Sequence, residues 1–287
     1  MPEFETIDTH VHLATAEWVE GSMGPYGAST ERYFGRPMHV GTVEEMADLY
    51  RAHRVHAVLL AWDAERATGR PALTNERVAE IVRAHSDVFT GFASVDPLRA
   101  DAVDRMRQAR DLGLSGFKIH PSMQAFDPTS PDVDAFFQEA ERLGLPILSH
   151  SGTSGVGAGT PGGQGIHLEW SHPLKLDGRA ADHPALRILL AHVGWPWHLD
   201  ALAMALHKSN VYIDISGWKY RYLPADVTRE MRTRLSRQFC FGTDYPMFDL
   251  PAQLAEVKAL QLPDDVEKRL LLENARRYLG WDGDAKA

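Results

Sequence analysis

Short apolar, β-branched runs recur along the chain at fairly even spacing, and each is followed by a stretch whose apolar positions repeat with helical periodicity. The runs that predict strands are Phe4–His12, Val55–Trp62, Phe89–Asp96, Leu114–Pro121, Pro146–Gly152, Leu186–Gly194, Val211–Gly217 and Phe239–Pro246. Between them the pattern predicts helices over Thr42–Arg54, Asn75–His85, Asp101–Leu112, Asp132–Leu143, His198–His207 and Ala225–Ser236, with a weaker one inside Pro173–His183. Thr42 ahead of Glu44 and Glu45, Asp132 at the head of its segment, and Gly113 and Gly144 behind theirs act as start and stop signals. Strand and helix alternating eight times imply parallel strands joined by right-handed crossovers, which close as a single (β/α)8 TIM barrel. After the eighth strand, Pro251–Leu260 and Asp264–Leu279 read as extra C-terminal helices, and the whole span 1–287 reads as one domain.

The ends of these runs carry the chemistry. In the first, Thr6-Ile7-Asp8-Thr9-His10-Val11-His12, strict alternation puts Asp8, His10 and His12 on one face and Ile7, Thr9 and Val11 on the other. One His-x-His triplet is an ordinary chance event among 14 histidines in 287 residues. Four later runs, however, also end in polar or basic groups: Lys118 and His120, His150, His192, and Asp244. In a barrel the loops after the strands build the active site. Here the loop after the first strand, about Ala14 to Gly41, carries Trp18, Tyr26, Tyr33 and Phe34, and that after the fifth holds seven glycines between Gly152 and Gly165. Trp18, Trp62, Trp170, Trp195, Trp197 and Trp218 all fall at strand ends or in such loops, which suggests an aromatic-lined cleft; the alternative is that the rings plug the barrel mouth. The glycine-rich loop lacks the Gly-Lys-Ser/Thr ending of a phosphate loop and reads as a lid or substrate wall.

Composition narrows the partners. A formal charge of −9 without a basic stripe disfavours nucleic acid and anionic membranes. No segment approaches the roughly 20 apolar residues of a membrane span. The acidic start Met1-Pro2-Glu3-Phe4-Glu5 does not resemble a signal or transit peptide, and the lone Cys240 fits a reducing compartment, so the expectation is a cytoplasmic protein acting on a small molecule, with a homo-oligomer left open.

Imidazole nitrogen and carboxylate oxygen are ligands for zinc and similar ions, and His10, His12, His150 and Asp244 would provide them from strand ends. The competing readings are a hydrogen bond to a loop carbonyl for His150 and a turn cap for Asp244. His53, His56, His85, His183 and His207 read as structural, and Asp214 and Ser216 as hydrogen-bonding partners behind the site. Taken together, Asp-Thr-His-Val-His, Gly-Phe-Lys-Ile-His-Pro, Ser-His-Ser-Gly, Ala-His-Val-Gly and Gly-Thr-Asp-Tyr-Pro resemble the amidohydrolase superfamily, in the amidohydrolase-2 group that includes aminocarboxymuconate semialdehyde decarboxylase. The resemblance spans essentially the whole chain. It implies a distorted (β/α)8 barrel with one divalent metal, usually zinc with manganese possible, held by His10, His12, His150 and Asp244, and a metal-bound water activated by His192. Asp244 would also take part in the chemistry. Lys118 would be either a carbamylated metal bridge or, as favoured by the one-metal pattern, an unmodified lysine that stabilises an oxyanion.

Three functions are compatible with these residues. One is a metal-dependent hydrolase that uses a zinc-bound water to cleave a carbonyl-adjacent carbon–carbon, ester or lactone bond of a small aromatic acid or acyl thioester. The second is a non-oxidative decarboxylase of an aromatic or muconate-type acid. The third, a barrel that only binds, sits poorly with a complete ligand set. His192-Val-Gly-Trp-Pro-Trp197, Asp214-Ile-Ser-Gly-Trp-Lys-Tyr220 and Ile166-His-Leu-Glu-Trp-Ser-His-Pro173 are similar to a subgroup labelled 4-hydroxyphenyl-β-ketoacyl-CoA hydrolase, which favours the hydrolase. Trp18, His120, Trp170, Trp195 and Trp218 are the expected substrate contacts. Arg32, Arg36, Lys219 and Arg221 read either as a rim for an anion or as solvated surface.

Overall fold

The computed structural model describes residues 4–281. Residues 1–3 and 282–287 of the expected domain lie outside them. Eight strands follow one another in sequence order around one parallel sheet: β1 Thr6–His12, β2 Val55–Leu60, β3 Phe89–Ser94, β4 Phe117–Ile119, β5 Ile147–Ser149, β6 Ile188–Leu190, β7 Val211–Asp214 and β8 Phe239–Cys240. This is the expected TIM barrel. Most ladders are shorter than the apolar runs because the backbone leaves the sheet where the polar strand ends begin.

Inward and outward side chains alternate as the pleat requires. Val58, Leu60, Phe92, Leu148, Leu189 and Tyr212 pack in the barrel interior, while their neighbours Leu59, Phe117, Ile119, Ile147, Ile188 and Ile213 pack under the helices. Ala275, Tyr278 and Leu279 of the C-terminal helical run belong to the interior cluster, so that run closes the barrel at the end opposite the site. The run Asp264–Leu279 is broken by a wide turn over Arg269–Glu273.

β1 breaks the alternation. Its register against β2 shifts between Asp8 and Val11, a bulge that inserts a residue and reverses the facing of the side chains beyond it. Ile7 points into the interior cluster and Asp8 outward, where it accepts hydrogen bonds from Tyr50 Oη (2.9 Å) and Thr243 Oγ1 (2.7 Å). After the bulge His10 and His12 face the barrel mouth and Val11 packs outside. The expectation that Asp8 shares a face with the two histidines is therefore corrected: strict period-2 counting cannot see a bulge.

β8 meets β1 through an irregular seam. A single bridge pairs Val11 with Tyr245, Thr9 N donates to Phe241 O at 3.0 Å, and Asp244 N donates to His10 O at 2.9 Å.

The segment Ala14–Gly41 is mostly helical, contrary to the expected loop. A wide turn over Glu17–Met23 buries Trp18, Val19 and Met23, and a helix runs over Pro25–Phe34. Pro25 starts that helix and Gly35, at φ +68°, ends it in the left-handed conformation. These residues look like loop punctuation in the sequence but act as caps. Thr42 and Glu45 form a reciprocal cap at the head of Val43–Ala52. Ser130, rather than Asp132, caps the turn that leads into Asp134–Leu143.

Candidate active site

The mouth of the barrel opens into a cavity of about 550 Å³. Its floor is made by His10 and His12 of β1, Lys118 of β4, and His120, His150, His192 and Asp244 just past β4, β5, β6 and β8. Within this group one ligand atom from each of His10, His192 and Asp244 lies within 4.8 Å of the others. His12 Nε2 is 3.5 Å from Asp244 Oδ1, and His10 Nε2 is equally far from it.

Hydrogen bonds behind the two central imidazoles fix how they face. Ser216 Oγ donates to Asp214 Oδ1 at 2.5 Å, so it has only lone pairs left for its other neighbours. His10 Nδ1 therefore donates to Asp214 Oδ2 and Ser216 Oγ, both at 3.0 Å, and His192 Nδ1 donates to Ser216 Oγ at 2.9 Å. Each ring is left with an Nε2 lone pair. Lys118 Nζ donates to that lone pair on His10 at 3.0 Å, which agrees with the assignment. Asp214 and Ser216 thus occupy the supporting role their strand face suggested.

Burial sets the protonation states. It drives the pKa values of His10, His120 and His150 well below the ordinary imidazole value and lowers that of His12, so these rings are neutral bases. It pulls Lys118 from 10.5 to about 8 against the opposing pull of Asp244 and Asp214. For Asp244 burial acts upward, but His192, His12 and His10 together outweigh it and hold the carboxyl below the usual range. The neutral imidazoles of His10 and His12 and the ionised carboxylate of Asp244 match the donor set of a divalent metal, which would take the His10 Nε2 lone pair in place of the Lys118 ammonium. His12 Nδ1, buried and without a hydrogen-bond partner among the described residues, is a further unspent donor.

The backbone carries strain at the same place. His192, Val193 and Asp244 have φ of +58°, +52° and +65°, in the left-handed region that costs non-glycine residues about 1–3 kcal/mol each. The hydrogen bond from His192 N to Asp214 Oδ1 and that from Asp244 N to His10 O hold two of these residues there.

The other expected residues divide. Trp18 stacks on His12 at 4.6 Å and 6°, and Trp195 and Trp218 meet edge to face at 5.5 Å and 63° on the cavity wall. His120 stacks on His150 at 3.8 Å and 5°. His150 Nε2 meets the Thr153 carbonyl at 3.2 Å, as its structural reading anticipated, which leaves the Nδ1 lone pair. Trp170 departs from expectation: it stacks on His167 at 4.5 Å and does not line the cavity, and Trp197 packs on His172 instead. Arg36 and Lys219 line the cavity, whereas Arg32 does not and Arg221 pairs with Glu256. Met247, Phe248 and Tyr222 also line it and were not singled out from sequence. Met247 and Phe248 come within four residues after Asp244, so the rule that loops after strands build the site would have found them.

One comparison decides the lineage: the family model described as Amidohydrolase matches residues 7–281. The chain belongs to the amidohydrolase family. An uncharacterised TIM-barrel protein from Bordetella bronchiseptica superposes with a TM-score of 0.78 at 20% identity, over 97% of this chain and 99% of that one. A dihydroxybenzoic acid decarboxylase from a Polaromonas species, solved with manganese and the inhibitor 2-nitroresorcinol, gives 0.71 at 17% identity, over 98% of each chain. A probable 2-pyrone-4,6-dicarboxylic acid hydrolase from Acinetobacter baumannii gives 0.67 at 15% identity, over 96% of this chain and 100% of that one. At these identities the superpositions establish the shared barrel. No curated protein matches the chain in sequence. Among the described residues no helix is long and apolar enough to cross a membrane.

Proposed function

We propose that this amidohydrolase is a metal-dependent hydrolase that adds water across a carbonyl-adjacent carbon–carbon, ester or lactone bond of a small aromatic acid or acyl thioester. The observation that carries the reading is the convergence of His10, His192 and Asp244 within 4.8 Å, with the Lys118 ammonium 3.0 Å from His10 Nε2. A zinc or manganese ion held there supplies a Lewis acid that polarises a carbonyl and acidifies a water. His10, His12, His150 and Asp244 would hold it. His192, with Nδ1–H tied to Ser216, takes a proton at Nε2. Lys118 balances the negative charge that develops on the substrate carbonyl oxygen, and Trp18, Trp195 and Trp218 hold the aromatic ring.

The arrangement supports hydrolysis. With His10, His12, His150 and Asp244 committed to the metal, the Nε2 of His192 is left beside them to remove a proton from water. A second reading, decarboxylation of an aromatic or muconate-type acid, draws support from the decarboxylase among the superposable structures. It requires a proton donor to carbon, and Lys118, with a pKa near 8, is the acid of suitable strength. Turnover in water labelled with heavy oxygen separates the two. Label in a product carboxylate is the expected result. Carbon dioxide release with solvent hydrogen on carbon and no label in the product establishes the decarboxylase instead.

A further inference from the structure

The cavity reverses the charge of the molecule. The chain carries a formal −9, yet the charged residues that line the cavity are Lys118 on the floor, Arg36 and Lys219 at the mouth, and a single carboxylate, Asp244. Asp244 acts on Lys118 at the floor, and among the described residues no other carboxylate lines the cavity to oppose Arg36 and Lys219 at the mouth.

Arg36 is built as a receptor rather than as solvated surface. It comes just after the helix Pro25–Phe34, its backbone N–H is fixed to Glu31 O at 3.1 Å, and its guanidinium lies over the Phe248 ring, 4.8 Å from the centroid. That cation–π contact restrains where the guanidinium can swing. Among the described residues it forms no ion pair; Asp249 acts on it only at longer range. Its Nη2 is buried without a hydrogen-bond partner. Two other cavity residues have buried donors in the same condition, Trp18 Nε1 and Trp62 Nε1. A guanidinium and an indole can only donate. Desolvated donors without acceptors are costly, and a ligand rich in acceptors removes that cost.

We propose that Arg36 is a specificity-determining residue that receives a second anionic group of the substrate, a carboxylate remote from the bond that breaks, so that the preferred substrate is an aromatic diacid rather than a monoacid. The inference rests on the reading of the cavity as a site for aromatic acids. Lys219, on the same rim, adds charge without fixed geometry, whereas the restrained guanidinium supplies the bidentate fit.

The test is calorimetric binding to the manganese-loaded protein, with benzoate as the monoacid and isophthalate and terephthalate as diacids, none of which has a bond this reaction would cleave. The wild type should bind at least one diacid about tenfold or more tighter than benzoate. Arg36→Gln should bring the diacid to within about twofold of benzoate, and Arg36→Lys should keep part of the preference. Equal affinity for all three probes in the wild type, or a preference that survives Arg36→Gln, overturns the role of Arg36 while leaving the aromatic-acid site standing. Binding of none of the probes removes the aromatic-acid reading itself and this inference with it.

Discussion

His10 and His192 are tied to the same Ser216 hydroxyl through Nδ1, yet the proposed mechanism gives them different tasks. A ligand and a base respond differently to truncation. His192→Ala should leave metal content nearly intact and lower turnover by roughly 10²–10⁴, the usual contribution of a positioned base. His10→Ala should lose metal and activity together, and Asp244→Asn should weaken metal binding strongly because an amide is a poorer donor. Metal analysis of the three purified variants is the check. If His192→Ala strips the metal as completely as His10→Ala, His192 is a ligand, and the compact His10, His192 and Asp244 group is the coordination set.

Asp8 makes a prediction of the opposite kind, about stability. Burial raises its pKa from 3.8 to about 7, although Thr243, His10 and Tyr50 all hydrogen-bond to it. Both hydroxyl partners can turn to accept when the carboxyl carries a proton. The unfolded chain releases that proton near pH 3.8 and the folded chain near 7, so between those values the folded state binds more protons and stability falls as pH rises. Asp8→Asn mimics the protonated form, with its amide toward Tyr50 and Thr243. The variant should melt close to wild type at pH 5 and above it at pH 8, whereas Asp8→Ala should melt lower at both. Thermal melts across that range test the expectation, and a variant whose melting temperature tracks wild type at every pH contradicts it.

At the scale of elements, the loops after β5 and β6 are joined at Gly152. It has φ +91°, and a Cβ there would stand 2.2 Å from the Trp195 carbonyl oxygen, which is backbone and cannot swing aside. Gly152→Ala should therefore cost several kcal/mol or displace Trp195 from the cavity wall, read as a lower melting temperature together with weaker binding of aromatic ligands. The glycine-rich loop as a wall was legible in the sequence; this contact was not, because two loops that touch share no pattern. The same limit explains the rest. Alternation of apolar runs revealed eight strands and the strand-end residues His10, His12, Lys118, His150, His192 and Asp244, since chemistry and period coincide there. The β1 bulge was invisible because one inserted residue leaves composition unchanged, and the helix Pro25–Phe34 was hidden because Gly24 and Gly35 punctuate helices and loops alike. Trp170 was misplaced because nearness to a strand end in sequence does not say which way a loop turns.

For the molecule as a whole, the barrel has a chemical end and a structural end. Tyr278 belongs to the second: its ring is fully buried against Phe92 and Tyr212 (6.2 and 5.6 Å between centroids), and its hydroxyl has no hydrogen-bond partner among the described residues. Tyr278→Phe should be neutral or stabilising by up to about 1 kcal/mol, because it removes a buried polar group that gains nothing. Tyr278→Ala should cost about 3–5 kcal/mol by opening a cavity. Denaturant unfolding measures both, and metal affinity of the folded protein should not change in either.

The seam between β8 and β1 also bears on the order of events when the chain is made. Thr243 and Asp8, whose hydrogen bonds help close it, are 235 residues apart, and the two sides of the proposed metal centre, His10 and His12 on one strand and Asp244 on the other, are separated almost as far. A chain emerging from the ribosome can pair its strands in succession, but it cannot complete this join until the last strand appears. Nascent and truncated forms should thus be barrels left open at the catalytic side. The earliest residues of the site wait for the latest, and the ability to bind metal at the proposed centre becomes a report that the eighth strand has been made and joined to the first.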